Sequence, residues 1–430
     1  MTFEQAQAYM AGFSGEAFAA PAAARQAFEQ LGCAASSVHF VAIAGTAGKT
    51  AVAHMEARIL REAGFVCGLY TVGNTPLDAR IGIDGVPVDR QVYLDAVAVL
   101  AGGHLTLSLA AAELAVAAAC FTAAHCDFAV VEMADPALAE LLPDMPVCAI
   151  TQLGPDGTDH ALPRIAYQAA ALLRKGCTAV TMPAQPKEAL QEIIVAAGKA
   201  DCELVVPDAD DLTALKARRL ENQMDYGGYG VTLPHAGRPA AENAAVAVEL
   251  ALALWRKGYE IPDEPILAGM AAAPADCGLY LLRRRPYILA DPCRLPVQAA
   301  ALAAVLRESA FQHLQVIAGL SACPDPDAFF AALETGFTPE EERTEKTQMP
   351  GMSENPVDKL YLVTPEGQDA CPAQKAAETA RFHFDVQVCE SLAQAMELAR
   401  AAGGDGIVVL GGAPVCRAAH ALLGKPRGKA

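Results

Sequence analysis

Tryptophan is nearly absent from this chain: Trp255 is its one indole, and aromatic residues make up 6% of its 430 positions. Its hydrophobic content still reaches 53%, and the excess is mostly alanine, which favours helices and excludes a disordered chain. Basic residues are also scarce, 32 against 50 acidic ones, for a net charge of −18. A field of that sign repels nucleic acid and anionic membrane alike, so neither is expected as a partner. There is no Cys-x-x-Cys, and the 13 cysteines are odd in number and scattered from Cys33 to Cys416. That spacing excludes a disulfide framework and a zinc site, and leaves the thiols as small buried hydrophobes of a reducing cytosol. Met1-Thr2-Phe3-Glu4-Gln5 lacks the basic region and apolar core of a signal peptide, so a cytoplasmic protein is expected. The longest apolar run, Leu105 to Ala124, carries Glu113 and is mostly alanine; it reads as a buried helix and not as a membrane span. The histidines, including His54, His104, His125 and His160, have no metal-ligand spacing, and there is neither a nucleophile-elbow serine nor an internal repeat.

What the chain does have is Val41-Ala42-Ile43-Ala44-Gly45-Thr46-Ala47-Gly48-Lys49-Thr50, an apolar strand that enters a glycine turn and then an apolar-periodic helix from Ala51 to Ala63. A phosphate-binding loop is built this way. Glycines let the backbone wrap a phosphate, amides at the helix start point at it, Lys49 adds charge, and the Thr50 hydroxyl is placed for Mg²⁺. Ile43 stands where the strict eight-residue pattern has its first glycine, so the match is to Gly-Thr-x-Gly-Lys-Thr.

The length exceeds what one hydrophobic core organises, so two domains are expected. A helix is expected over Pro21 to Leu31, with proline at its first position. Strands are expected at Val38 to Ala44, Val66 to Val72, Cys126 to Val131 ending in Glu132, Pro146 to Thr151, Ala179 to Met182 and Glu203 to Val206. Ile81 to Val88 alternates and turns like a small hairpin. Alanine-rich helices between these strands imply an α/β fold with a parallel, doubly covered sheet. Gln223 to Leu233 reads as strands, and Glu242 to Gly258 as an amphipathic helix holding Trp255. The alternation restarts at Arg283-Arg284-Arg285-Pro286, with strands at Tyr287 to Ala290, Leu314 to Ala318, Leu360 to Val363, Val386 to Val388 and Gly406 to Leu410. A second, smaller α/β domain over 284–430 follows, interrupted by a polar, aperiodic loop at 338–356.

The order of elements, with the Gly45–Thr50 loop and Arg80-Ile81-Gly82-Ile83-Asp84-Gly85-Val86-Pro87-Val88, resembles the folylpolyglutamate synthase branch of the Mur ligase superfamily over nearly the whole chain. The resemblance implies a P-loop ATP-binding domain over 1–283, like the Mur ligase central domain, and a Rossmann-like domain over 284–430 that closes over it. It implies ATP and Mg²⁺ as cofactors, and folate and glutamate as partners. The implied reaction phosphorylates a carboxylate to an acyl phosphate, from which the glutamate amine displaces phosphate; cations and metal on the moving charge do most of the work. Residue by residue, it implies Gly45, Thr46, Gly48, Lys49 and Thr50 as phosphate binders and Thr50 and Glu132 as Mg²⁺ ligands. Asn243 matches the asparagine of the family's His-Gln-x-x-Asn-Ala, and Asp291 the aspartate of its Asp-Gly-Ala-His-Asn-Pro; both are implied nucleotide contacts.

Departures accompany these matches. Gly157 stands at the family's second metal-binding histidine, Ala169 at its carbamylated lysine, and Arg238-Pro239-Ala240 at its His-Gln pair. Asp276-Cys277-Gly278 replaces Pro-Gly-Arg, Pro292-Cys293-Arg294-Leu295 replaces Gly-Ala-His-Asn, and Gly73-Asn74-Thr75-Pro76 replaces a Ser-Pro-His segment. Two readings follow: a divergent, catalytically degenerate homologue that binds ATP, and an active ATP-dependent ligase adding glutamate to folate or a related carboxylate.

Overall fold

The computed structural model describes residues 1–13, 21–73, 75–156, 160–218, 221–234, 237–272, 278–309, 311–338, 355–367 and 369–424. Gly157, Asn74, Asp276, Cys277 and most of the 338–356 loop lie outside them.

The first sheet is built from β1 (His39–Ala44), β2 (Cys67–Tyr70), β3 (Ile81–Ile83), β4 (Val86–Pro87), β5 (Phe128–Glu132), β6 (Asp144–Ile150), β7 (Thr178–Thr181) and β8 (Glu203–Val205). Their spatial order is β4-β3-β2-β5-β1-β6-β7-β8. All pairings from β2 to β8 are parallel, while β3 and β4 add an antiparallel hairpin at one edge. That hairpin turns through Asp84 and Gly85, both at positive φ, as an Asp-Gly pair favours. β1 and β5 are buried along nearly their whole length, since helices cover both faces of the sheet and two apolar clusters form there. Helix Leu109–Ala123 is apolar around its whole circumference and wholly enclosed on most of it. No helix among the described residues is long and apolar enough to cross a membrane.

A three-stranded antiparallel sheet follows, with β9 (Leu212–Arg218), β10 (Glu221–Tyr226) and β11 (Tyr229–Leu233); β9 went unread in the sequence. Helix Arg238–Arg256 crosses the first sheet, beginning four residues earlier than its apolar pattern suggested because Pro239 sits comfortably in the first turn. The second sheet contains β12 (Tyr280–Arg284), β13 (Tyr287–Asp291), β14 (Leu314–Ala318), β15 (Val357–Leu362), β16 (Val386–Val388) and β17 (Gly406–Leu410), in the order β12-β13-β17-β14-β15-β16. It too has an apolar cluster on each face. β12 pairs antiparallel with β13, so Arg283 and Arg284 end a hairpin strand, the turn lies at Arg285-Pro286, and the restart expected at residue 284 falls within the hairpin. We propose that the domain division lies ahead of β12. The described cysteines are all free thiols, buried except for half-buried Cys323 and Cys371.

Candidate nucleotide site

β1 lies between β5 and β6, with Ile43 opposite Glu132 on one side and Ala149 on the other. The chain leaves β1 toward β2 on one side of the sheet and leaves β6 toward β7 on the other, and in open parallel sheets ligands bind at the carboxyl ends of strands where the connections part in this way. The glycine loop sits at that point. Gly45 has φ +140° and presses on Thr151, the residue that extends β6, whose hydroxyl donates to the Ala44 carbonyl at 3.1 Å. Thr46 Oγ1 donates to the Gly154 carbonyl at 3.1 Å and accepts from the Gly154 amide at 3.3 Å. The Thr46 and Ala47 amides both donate to the Gln152 carbonyl, at 2.9 and 3.0 Å. Those two amides are thus occupied by the loop's own support, and the donors that face outward begin at Gly48. Helix Lys49–Glu62 starts immediately after it, and its first-turn amides have no intrahelical acceptor. This is the end of a helix that favours an anion.

Lys49 is half-buried, and its ammonium donates to the Gly45 carbonyl at 2.7 Å, which holds it over the loop. Burial lowers its pKa, Glu132 opposes that, and the nearby Arg294 guanidinium adds to it. Glu132, at the end of β5, is 1% exposed. One carboxylate oxygen accepts from the Val72 amide at 3.2 Å, whereas Oε1 is buried without a partner. Burial raises the Glu132 pKa; Lys49, the Thr50 hydroxyl and the Val72 amide pull it back. A buried carboxylate that keeps one oxygen without a partner is a donor that a hard divalent cation takes. Thr50 and Glu132, implied as Mg²⁺ ligands by the resemblance, are the residues here that could hold such an ion. The segment that carries Val72 is fixed in turn by buried Arg80, which donates to the Thr75 carbonyl at 2.8 Å and the Thr71 carbonyl at 3.1 Å and grips Glu113 with both guanidinium arms.

Asn243 is also brought to the loop. It lies within helix Arg238–Arg256, buried, and its side-chain oxygen would stand 2.5 Å from a Cβ added to Gly48. Gly48 has φ +88°, so both backbone and neighbour demand glycine there. Gly48→Ala is expected to lower stability by about 1–3 kcal/mol. Urea midpoints check this, and Asn243→Ala on that background should recover part of the loss.

Asp291 ends β13, and its recorded contacts stay within the second domain. Its carboxylate accepts from the Cys293 amide at 2.8 Å and shapes the turn that follows; burial pushes its pKa up to about 6. Arg294, in that turn, went unassigned in the sequence because it only marked a lost histidine. Ala169 is buried at the end of helix Leu162–Ala169, where it offers no ligand. A Cβ at Gly278 would meet nothing within 4 Å, so the place of the family's arginine is open. Among the described residues no group of three His, Cys, Asp or Glu side chains is arranged to hold a metal.

Fold and site together define a two-domain α/β protein with a glycine-lysine loop at the carboxyl end of the central strand of its larger sheet. Solved structures with this fold include folylpolyglutamate synthases. That of Mycobacterium tuberculosis complexed with ADP matches with a TM-score of 0.81 at 23% identity over 98% of each chain. E. coli FolC in complex with DHPP and ADP matches at 0.77 with 18% identity over 97% of each chain. The Yersinia pestis bifunctional folylpolyglutamate synthase/dihydrofolate synthase, complexed with AMPPNP and Mn ion, matches at 0.77 with 20% identity over 96% of each. At these identities the likeness establishes the fold. No protein-family model and no curated protein matches the chain.

Proposed function

We propose that this protein is a divergent relative of the folylpolyglutamate synthases that binds ATP at the Gly45–Thr50 loop with one Mg²⁺ and has lost most of the ligase chemistry. The observation that carries the binding half is the unpaired, buried Glu132 Oε1 beside Lys49 and Thr50. Thr50 and Glu132 would hold the metal, which supplies positive charge to the phosphate oxygens. Lys49 and the helix amides from Gly48 onward would hold the phosphates, and Asn243 buttresses Gly48. That solved neighbours are bound to ADP, or to AMPPNP and Mn ion, supports a nucleotide and a divalent metal as ligands.

The other half rests on what is missing. Ala169 and Gly278 offer neither ligand nor guanidinium where the resemblance places a metal-binding lysine and an arginine. Gly157 likewise offers no imidazole. Ground-state contacts to ATP survive these losses, because they are not the ones that stabilise a phosphoryl group in transfer. ATP should bind the parent protein in calorimetry and bind Lys49→Ala at least ~10-fold more weakly, as expected for removal of a charge-assisted contact. Equal affinities would remove the proposal. Glutamate- and folate-dependent ADP release, with Lys49→Ala as control, separates the degenerate reading from the active ligase.

A further inference from the structure

Glu113 is the one charged residue in helix Leu109–Ala123, set among apolar neighbours. It is buried, and its charge is met by Arg80, which is buried too and donates to both carboxylate oxygens; the Tyr70 hydroxyl also donates to Oε2, at 2.7 Å. Arg80 stands at the base of the loop that joins β2 to β3. The two strands are antiparallel, with Tyr70 opposite Ile81, and the Thr71 amide donates to the Arg80 carbonyl at 3.1 Å. Residues 71–80 therefore project as a loop from the carboxyl end of β2. β5 ends beside that point, because Tyr70 pairs with Val131, the residue before Glu132.

Apolar burial does not fix the first half of this loop. Val72, Gly73 and Pro76 are exposed and Thr71 and Thr75 half-buried, so among the described residues of 71–76 none is enclosed. Arg80 supplies the anchorage, donating to the Thr71 carbonyl at 3.1 Å and to the Thr75 carbonyl at 2.8 Å. The segment so held sets the Val72 amide on Glu132 Oε2 at 3.2 Å, and Oε1 is the oxygen left without a partner. A buried ion pair seldom stabilises a fold more than apolar groups of the same volume would. What a guanidinium does provide is a rigid fork of donors, and here the fork reaches two carbonyls and a carboxylate at once.

We propose that Arg80 and Glu113 are positioning residues for the divalent cation. By pinning residues 71–75 they keep the Val72 amide on one Glu132 oxygen, and the other oxygen is thereby aimed and kept free for the metal. This rests on the nucleotide and Mg²⁺ reading above and deepens it: the hold on the metal depends on an ion pair outside the glycine loop, whereas the hold of Lys49 and the loop on the phosphates does not. The charge buried in the apolar helix thus has a function besides neutralising Arg80.

Calorimetry of ADP on the full chain, with Mg²⁺ and with EDTA in its place, tests this, because the ratio of the two affinities isolates the metal's contribution. Glu132→Gln sets the scale by removing that gain. Arg80→Met combined with Glu113→Gln takes away both charges, so no carboxylate is left buried and unpaired. The double variant should lose about 10-fold of the Mg²⁺ gain, the lower end of the range for groups that orient a metal ligand, and keep its affinity in EDTA within about threefold. Arg80→Lys keeps the ion pair without the fork, so its loss should be intermediate. Melting temperatures check that the variants fold, and if the double variant does not, Arg80→Lys decides by the same ratio. A folded variant that keeps the parent's Mg²⁺ gain, or that weakens ADP equally with and without the metal, overturns the positioning role while the nucleotide site stands. If the parent binds no ADP, or Glu132→Gln keeps the full Mg²⁺ gain, the reading beneath it falls as well.

Discussion

Glutamate incorporation into reduced folates, with ATP and Mg²⁺, is expected to run at least about 10²–10³-fold below that of an intact folylpolyglutamate synthase assayed in parallel, the usual loss for one positioned charge. A carboxylate attacking the terminal phosphate brings negative charge into a site already crowded with phosphate oxygens, and metals and cations must balance it. On the proposed reading, this chain keeps Thr50 and Glu132 for one metal and Lys49 for the phosphates. It places buried Ala169 and bare Gly278 where further positive charge would be needed. The losses act on one transition state and should not be summed. Turnover within ~10-fold of the intact enzyme, abolished by Lys49→Ala, would overturn the degenerate reading, since tenfold is only about 1.4 kcal/mol of barrier. ATP hydrolysis followed with a wider panel of carboxylates and amines would reveal a ligase with another acceptor.

Replacing Glu56 is expected to have the largest effect on stability. Glu56 lies in helix Lys49–Glu62, fully enclosed, and neither of its carboxylate oxygens has a partner. Burial pushes its pKa from 4.5 up to about 8. Below pH 4.5 the carboxyl is protonated whether the chain is folded or not, and it imposes no ionisation penalty. As pH rises from there to about 8, the unfolded chain releases the proton while the folded one retains it, so stability falls; above 8 the loss levels off. Over that window the loss is on the order of 5 kcal/mol. Glu56→Gln removes the titration, so its stability advantage over the parent should grow by several kcal/mol between pH 5 and pH 8. Urea midpoints at the two pH values measure it, and an advantage that does not change with pH would show that Glu56 ionises freely in the fold.

The sequence was most legible where one local pattern carried the signal. Val41 to Ala44 is an unbroken apolar run before glycine, and the residues of β14, β16 and β17 were read at their observed limits. The Ile81–Pro87 hairpin was readable because Asp84-Gly85 has only one economical turn. The triple arginine was less legible: Arg283 and Arg284 end β12, and their pairing with β13 is invisible locally. Glu56 gave no signal in the sequence, because helical periodicity does not report that the fold encloses it completely. Asn243 was found only through the resemblance, and its role against Gly48 needed coordinates.

The position of β1 between β5 and β6 also bears on how the site comes into being during synthesis. The ribosome delivers β1 and the glycine-lysine loop at residues 39–50, whereas the flanking strands arrive at 128–132 and 144–150. Neither side of β1 has its parallel neighbour until then, and pairing over such separations is slow and leaves apolar edges uncovered. The Thr46 and Ala47 amides wait longer still, for the carbonyl of Gln152. On the proposed reading, ATP would find no finished site on the early chain: a nascent polypeptide that ends before β6 carries the complete loop sequence without the carbonyl of Gln152 that supports it.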